Sequence, residues 1–346
     1  MKFKTFGRSG LRVSEISLGT MTFGEDWGWG SGRDESERIF NSYTDLGGNF
    51  IDTADGYTSG TSEKMVGEFM KGRRTGYVIA TKYTFNFMNS GSANGGGNHR
   101  KNMIESLHGS LKRLATDYID VYWVHRYDPL TPIDEMMRAL DDMVKQGKVL
   151  YIGISDAPAW TVSYANALAE LRGWSSFLGL QIEYSLAERT VERELLPMAE
   201  YFKMAVAAWS PLAGGLLSGK YTSGGKTEVK SDGGNDRLHV APFTHTTPHK
   251  LKIADSVVSI SKETGLSAAQ VSLRWLMQKS PLVIPIIGAR KMAQFTDNMK
   301  AAEITLSEEQ MNRLSEVSAV ELGFPHNFLK LTAPSVYGDR VIEKLF

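Results

Sequence analysis

From residue 16 onward, short apolar runs alternate along the chain with stretches that carry helix signals. The runs are ISLGT (16–20), NFIDTAD (49–55), YVIATKYT (77–84), YIDVYWVH (118–125), YIGIS (151–155), GLQIEYS (179–185), MAVAAWSP (204–211) and LVIPIIG (282–288). Several are apolar throughout instead of alternating with polar residues, which is the pattern of parallel strands covered on both faces. Ahead of them, FKTF and LRVS flank a Gly/Ser turn and predict a small hairpin within residues 1–15.

The intervening helices announce their starts. Asp34 and Glu37 fit a capping box before RIFNSYTDL, and Thr131-Pro132-Ile133-Asp134 combines an N-cap, a proline at the first helical position and an acid at the third. Ser267 with Gln270 and Ser307 with Gln310 open two more in the same way, and segments 62–72, 99–113, 158–171 and 191–202 complete the set. Eight strands, each trailed by helix and with no Rossmann glycine fingerprint after the first, predict an α/β fold of the (β/α)8 TIM-barrel type in place of a doubly wound sheet. The expected organisation is one barrel domain over residues 1–346, with the N-terminal hairpin and an extra C-terminal helix. Two loops, 24–36 and 222–247, are too long for simple connections, and both follow a strand C-terminus, where barrel active sites lie.

Charge and composition then narrow the partners. Lys plus Arg and Asp plus Glu each total 39, with no basic tail, so neither nucleic acid nor an anionic membrane surface is an expected partner. The absence of cysteine excludes disulfides and thiol catalysis and removes most structural zinc sites. His239 and His245 in the long loop lack an anchoring set of carboxylates, so no metal is expected. No apolar stretch approaches the length of a membrane span, and MKFKTFGRSGLRVSE lacks the apolar core of a signal peptide. The expected compartment, by elimination, is the cytoplasm.

Candidate chemistry lies in polar residues at strand ends. Asp52 in FIDTAD, Lys82 in IATKYT and His125 in YWVHR close three consecutive strands, and Tyr57 follows Asp52 on the loop leaving the same strand. An ammonium beside a phenol favours phenolate and eases proton transfer, and a carboxylate beside the lysine keeps it charged. A histidine next to a developing alkoxide donates a hydrogen bond to it. Taken singly, each residue also reads as a salt-bridge partner, a core aromatic or a structural histidine. Lys82 resists that reading most, because a lysine in an apolar strand requires a buried partner. Together the four form a proton donor and an oxyanion site that lacks only a hydride source.

In these motifs the chain resembles the aldo-keto reductase family over nearly its whole length. FIDTADGY with a helix beginning SE at 62, ATK, WVHRYD, ALDDMVKQGKVLYIGIS (139–155), LQIEYSL (180–186), AWSPLAGGLLSGKY (208–221) and PIIGARKMAQFTDN (285–298) appear in the family's order and spacing. The resemblance implies carbonyl reduction by direct hydride transfer from NADP(H), with Tyr57 as general acid, Lys82 and Asp52 tuning it, and His125 orienting the carbonyl.

It further implies that Ser155, Asp156 and Gln181 bind the nicotinamide carboxamide, that Trp209 stacks on the ring, and that Gly19, Thr20, Met21 and Asp52 border the cofactor. Position 156 is Asp where much of the family has Asn, so a donor to the carboxamide oxygen is lost when the carboxyl is ionised. Ser210, Pro211, Leu212, Gly214, Leu217, Ser218 and Lys220 are the implied pyrophosphate segment. Gly288, Arg290, Gln294 and Asn298 are the implied adenosine end, with Arg290 facing a 2′-phosphate and Lys291 nearby. The plain structural alternatives are core packing for Trp209, a helix cap for Ser155, a strand hydrogen-bond partner for Gln181, a surface charge for Arg290 and a helix-end residue for Asn298.

Phe23, Trp27 and Trp29, with Tyr57 and His125, are the expected walls of the substrate pocket, suited to rings, aliphatic chains or the apolar faces of sugars. Exposed interface tryptophans are the competing use. Arg126 and Asp128 read as supporting or helix-cap residues. The expected partner is a small-molecule carbonyl compound, and the assembly a monomer or small homo-oligomer. The family resemblance leaves one alternative, a cofactor-binding regulatory subunit with little turnover.

Overall fold

The computed structural model describes residues 1–86, 91–226 and 246–338. The barrel strands are β3 (Ser17–Gly19), β4 (Phe50–Asp52), β5 (Val78–Tyr83), β6 (Ile119–Val124), β7 (Val149–Ser155), β8 (Phe177–Glu183), β9 (Ala205–Trp209) and β12 (Val283–Ile287). They pair in parallel and close in the order β12-β3-β4-β5-β6-β7-β8-β9. Every predicted strand run overlaps one of these strands. A hairpin of β1 (Phe3–Thr5) and β2 (Arg12–Ser14) stands outside the barrel, as does a small one of β10 (Tyr221–Thr222) and β11 (Gly225–Lys226).

Because side chains alternate along a strand, each barrel strand divides its residues between two cores. Ile51, Ile79, Tyr122, Ile152, Leu180 and Val206 pack outward in the large cluster that includes the helices. Phe50, Ala80, Val121, Trp123, Ala207 and Ile284 form a smaller inner cluster, joined by Phe6 and Val13 of the N-terminal segment. Phe6 lies edge-on to Phe50 and Trp123, at 5.8 and 6.0 Å between ring centroids. The Trp123 indole needs room that only glycine leaves, since a Cβ at Gly153 or Gly179 would stand 2.3 or 2.6 Å from it. This plug fills the lower barrel. The next inward positions above it are Asp52, Lys82, His125, Ser155, Gln181 and Trp209, one alternation beyond Phe50, Ala80, Trp123, Gly153, Gly179 and Ala207.

The capping boxes at Ser267 and Ser307 form as expected. Two other expected caps do not. The helix Arg33–Asp45 begins after Gly32 with no side-chain cap, and Glu37 instead pairs with Arg33 at 2.9 Å. The helix Ile133–Lys145 follows Pro132, while Thr131 turns its hydroxyl away to Asp128 at 2.6 Å. In both cases a charged partner takes the side chain instead. The segment expected to be one helix at 191–202 is a short 3-10 turn, Thr190–Glu192, followed by Leu195–Tyr201.

Two helices had no place in the sequence reading, Pro248–Thr264 and His326–Tyr337. The first carries a legible start, since Thr247 accepts from the Lys250 N–H and Pro248 opens the helix. Most of the long loop at 222–247, with His239 and His245, lies outside the described residues. Among the described residues, no helix is long and apolar enough to cross a membrane.

Candidate active site

Lys82 is the hub of the barrel mouth. It is buried, and its ammonium pairs with Asp52 Oδ1, donates to the Thr53 carbonyl at 2.8 Å, and donates to the Tyr57 hydroxyl at 3.1 Å. Burial alone lowers a lysine's pKa, but the Asp52 carboxylate, aided by Tyr57, more than offsets it and holds Lys82 above its usual value. The ammonium also lies 4.7 Å from the centroid of the Tyr57 ring. The four residues from three neighbouring strands and one loop therefore meet, as their strand-end placement predicts.

Tyr57 is aimed by a constrained turn. Thr58, Ser59 and Gly60 all adopt left-handed conformations, with φ of 46°, 55° and 87°. Thr58 secures them by donating to the Phe23 carbonyl at 2.6 Å and accepting from the Ser62 N–H at 3.0 Å. Backbone held in this region by several partners is a feature of functional sites.

His125 packs edge-on to Tyr57, with ring centroids 6.0 Å apart, and its backbone N–H donates to the Tyr83 carbonyl at 3.0 Å. Burial first, and then the Lys82 charge, push its pKa well below the ordinary value, so the imidazole is neutral. A neutral ring has one N–H to give and one nitrogen to accept. Its Nδ1 is buried with no hydrogen-bond partner.

Gln181 binds inside this network, and its Nε2 donates to Asp52 Oδ2 at 2.8 Å. The family resemblance implies that Gln181 meets the carboxamide of a cofactor; what the structure shows is its bond to Asp52. Next to it, Ser155 Oγ is buried and lacks a partner in hydrogen-bonding geometry, which suits a polar group arriving from the barrel mouth. Asp156 follows and faces solvent, accepting the Trp209 indole N–H at 3.0 Å. Thr20 is committed elsewhere, donating to the Asp52 carbonyl at 3.0 Å and meeting Ser62 Oγ at 2.8 Å. Gly19 must be glycine, because a Cβ would come within 2.7 Å of Ile286.

After Trp209 the chain coils through Ser210, Ala213, Gly214 and Gly215, with φ of 50°, 50°, 65° and 101°. Ser210 Oγ accepts from the Gly214 N–H at 3.0 Å, and Ser218 donates to the Gly215 carbonyl at 2.6 Å. Pro211 and Leu217 are buried, while Leu212, Ser218 and Lys220 are partly exposed. The N–H groups of Ala213, Gly215 and Leu217 are likewise taken inside the coil, by the Ser210 and Leu212 carbonyls, which fixes its shape. At the other side of the mouth, Gly288 precedes the helix Met292–Met299. Gln294 accepts from the Arg290 N–H at 3.1 Å, and Asn298 is buried. Glu35, which sequence reasoning missed, accepts the Met292 N–H at 2.7 Å.

The expected pocket walls divide. Trp27 is half-buried, edge-on to Tyr57 at 6.5 Å and tilted against Trp29 at 5.6 Å. Phe23, in contrast, is buried against Phe69 at 6.2 Å and belongs to the core, because the turn at Thr20–Phe23 points its ring back toward the helix Thr61–Phe69. Phe85, unforeseen, lies edge-on to His125 at 4.8 Å and joins the wall. Asp128 accepts from Asn98 N, Leu130 N and Thr131 Oγ1, bracing a loop as expected, and the Arg126 carbonyl accepts from Asn98.

Residues 15–319 match the aldo/keto reductase family. A norsolorinic acid reductase of Aspergillus flavus is 35% identical, over 97% of this chain and 86% of that protein. An aryl-alcohol dehydrogenase [NADP(+)] of Phanerodontia chrysosporium is 36% identical, over 92% of this chain and 86% of its own. An aryl-alcohol dehydrogenase of Pestalotiopsis microspora is 38% identical, over 92% and 82%.

Proposed function

The chain belongs to the aldo/keto reductase family and is an oxidoreductase of carbonyl compounds, and we propose that it reduces aldehydes or ketones with NADPH, using Tyr57 as general acid. The observation that carries this reading is the Lys82 ammonium, fixed by Asp52 and donating to the Tyr57 oxygen at 3.1 Å. A positive charge there stabilises the phenolate left when Tyr57 gives its proton to the carbonyl oxygen. In oxidation the same phenolate takes the proton back. His125, neutral and pressed against Tyr57, supplies an N–H to the same oxygen and orients the carbonyl without competing as an acid.

The dihydronicotinamide, when bound, supplies the hydride. Ser155, with its unpartnered hydroxyl, and Gln181 fit the carboxamide, Trp209 the ring face, Ser210–Lys220 the pyrophosphate, and Arg290, Gln294 and Asn298 the adenosine end. Arg290 favours NADP over NAD by offering a guanidinium to a 2′-phosphate.

The substrate class follows from the wall. Trp27, Trp29, Phe85 and Tyr57 present ring edges and faces around His125. Flat aromatic carbonyls fit such a wall, in keeping with the aryl-alcohol dehydrogenase names of two relatives. The test is stopped-flow fluorescence with NADPH and NADH, followed by aryl and aliphatic aldehydes. Tight NADPH binding with faster oxidation by aryl aldehydes is the expected result. Binding of neither cofactor overturns the reading, and a preference for short aliphatic aldehydes overturns the substrate class.

A further inference from the structure

Asp156 and Trp209 belong to strand ends that are not neighbours in the barrel, since β8 lies between β7 and β9. Their side chains nevertheless bridge the mouth, with the indole N–H 3.0 Å from Asp156 Oδ1. The Asp156 backbone is held for this purpose on both sides. Its N–H donates to the Gln181 carbonyl at 3.1 Å, and its carbonyl accepts the Tyr127 N–H at 3.2 Å. Its φ is 44°, a left-handed conformation that aspartate tolerates better than most residues. Trp209 in turn precedes a left-handed Ser210, so its ring is set at a sharp bend, partly buried against the inner cluster and partly open.

The family resemblance gives position 156 a direct contact with the cofactor amide. The geometry points to a different use, and we propose that Asp156 is a positioning residue whose carboxylate holds the Trp209 indole plane on which the nicotinamide ring rests. The proposal rests on the reading of Trp209 as that platform. A carboxylate is a stronger acceptor for an indole N–H than a neutral amide, because the bond is charge-assisted.

The hold depends on ionisation. Partial desolvation at the barrel mouth raises the Asp156 pKa to about 6, opposed by the Trp209 hydrogen bond, the neighbouring Ser155 hydroxyl and the charges of Lys82 and Arg126. Glu183, on β8, is the neighbouring carboxyl; burial and then the Glu188 charge, with a smaller part from Asp156, raise its pKa to about 7, so it is mostly neutral where Asp156 titrates. A raised carboxyl is ionised above about pH 6, so the charge-assisted bond is present at neutral pH and fades as pH falls through that value.

The experiment uses the whole protein, with and without NADPH, and the variants Asp156→Asn, Asp156→Gly and Trp209→Phe. Glycine removes the side chain without straining a positive φ, so loss of folding does not confuse the result. In the absence of cofactor, the fluorescence difference between the protein and Trp209→Phe isolates the Trp209 signal. Its expected behaviour is a transition near pH 6, lost when Asp156→Asn or Asp156→Gly is placed in both members of the pair. With NADPH at pH 7.5, Asp156→Asn should bind within about twofold of the unaltered protein, since the amide oxygen still accepts. Asp156→Gly should bind about two- to tenfold more weakly, the range of an aromatic contact. In the Trp209→Phe background it should cost nothing further.

Wild-type affinity in Asp156→Gly, an equal loss with and without Trp209, or a Trp209 signal indifferent to Asp156 would each overturn the proposal. Failure of the unaltered protein to bind NADPH would overturn the functional reading instead, while the cofactor-free titration still reports on the Asp156–Trp209 contact.

Discussion

Gln181 donates its amide to Asp52 Oδ2 at 2.8 Å, although 129 residues separate the two along the chain. The bond gives the second carboxylate oxygen of Asp52 a partner while the first faces Lys82. The candidate proton donor therefore depends on a strand on the far side of the barrel. Replacing Gln181 by Leu leaves a buried carboxylate oxygen unsatisfied, at a cost of about 1–3 kcal/mol. Urea denaturation should show a lower midpoint with an unchanged slope, and an unaltered midpoint would remove Gln181 from the network.

Tyr57→Phe keeps the ring against Trp27 and His125 and removes only the hydroxyl that meets Lys82. Carbonyl reduction should fall by about 10²–10⁴, the usual contribution of a general acid, with NADPH affinity nearly intact. Single-turnover NADPH oxidation separates the two effects. Normal turnover would exclude Tyr57 as the acid.

Arg290→Ala should weaken NADPH by about tenfold or more and leave NADH nearly unchanged, because the charged pair it removes exists only with the 2′-phosphate. Fluorescence titration with both cofactors measures this directly. Equal weakening of the two would place Arg290 away from that phosphate.

Asp55 lies behind the site, buried, with Oδ1 lacking a partner and Glu63 nearby. Burial, and then the Glu63 charge, raise its pKa from 3.8 to about 7. Between those values the folded protein holds a proton that the unfolded chain releases, so this group's stabilising contribution is full below pH 4 and falls as pH rises to 7. The penalty at pH 8 is on the order of 4 kcal/mol at most. Asp55→Asn should consequently gain stability relative to the unaltered protein as pH rises from 4 to 8. A constant difference across that range would show that Asp55 titrates normally.

The reading from sequence reached the barrel because the evidence for it is local. Continuous apolar runs such as LVIPIIG and capping pairs such as Ser267 with Gln270 depend on a few adjacent residues, and both appear in the structure. Local signals failed where a distant group competed. Thr131 resembles an N-cap until Asp128 takes its hydroxyl, and Phe23 resembles a pocket residue until Phe69 takes its ring.

The candidate site divides along the same line. Asp52, Tyr57, Lys82 and His125 were visible because polar residues closing apolar strands stand out in any sequence, and family motifs surround them. Phe85, Glu35 and the Asp156–Trp209 bridge were not visible, since nothing in the residue order specifies which side chains meet across an open mouth.

By itself the sequence determined the kinds of element, their order and the chemistry available at the strand ends. Tertiary structure decided which of those groups share a charge or a hydrogen bond. Closure of the parallel ladder sets a staggered register, in which Asp52 pairs with Ala80, Lys82 with Trp123 and Ser155 with Gln181, and that stagger decides which strand-end groups meet at the mouth. Alternation along one strand is a property of that strand, but the height at which one strand meets the next depends on packing around the whole barrel.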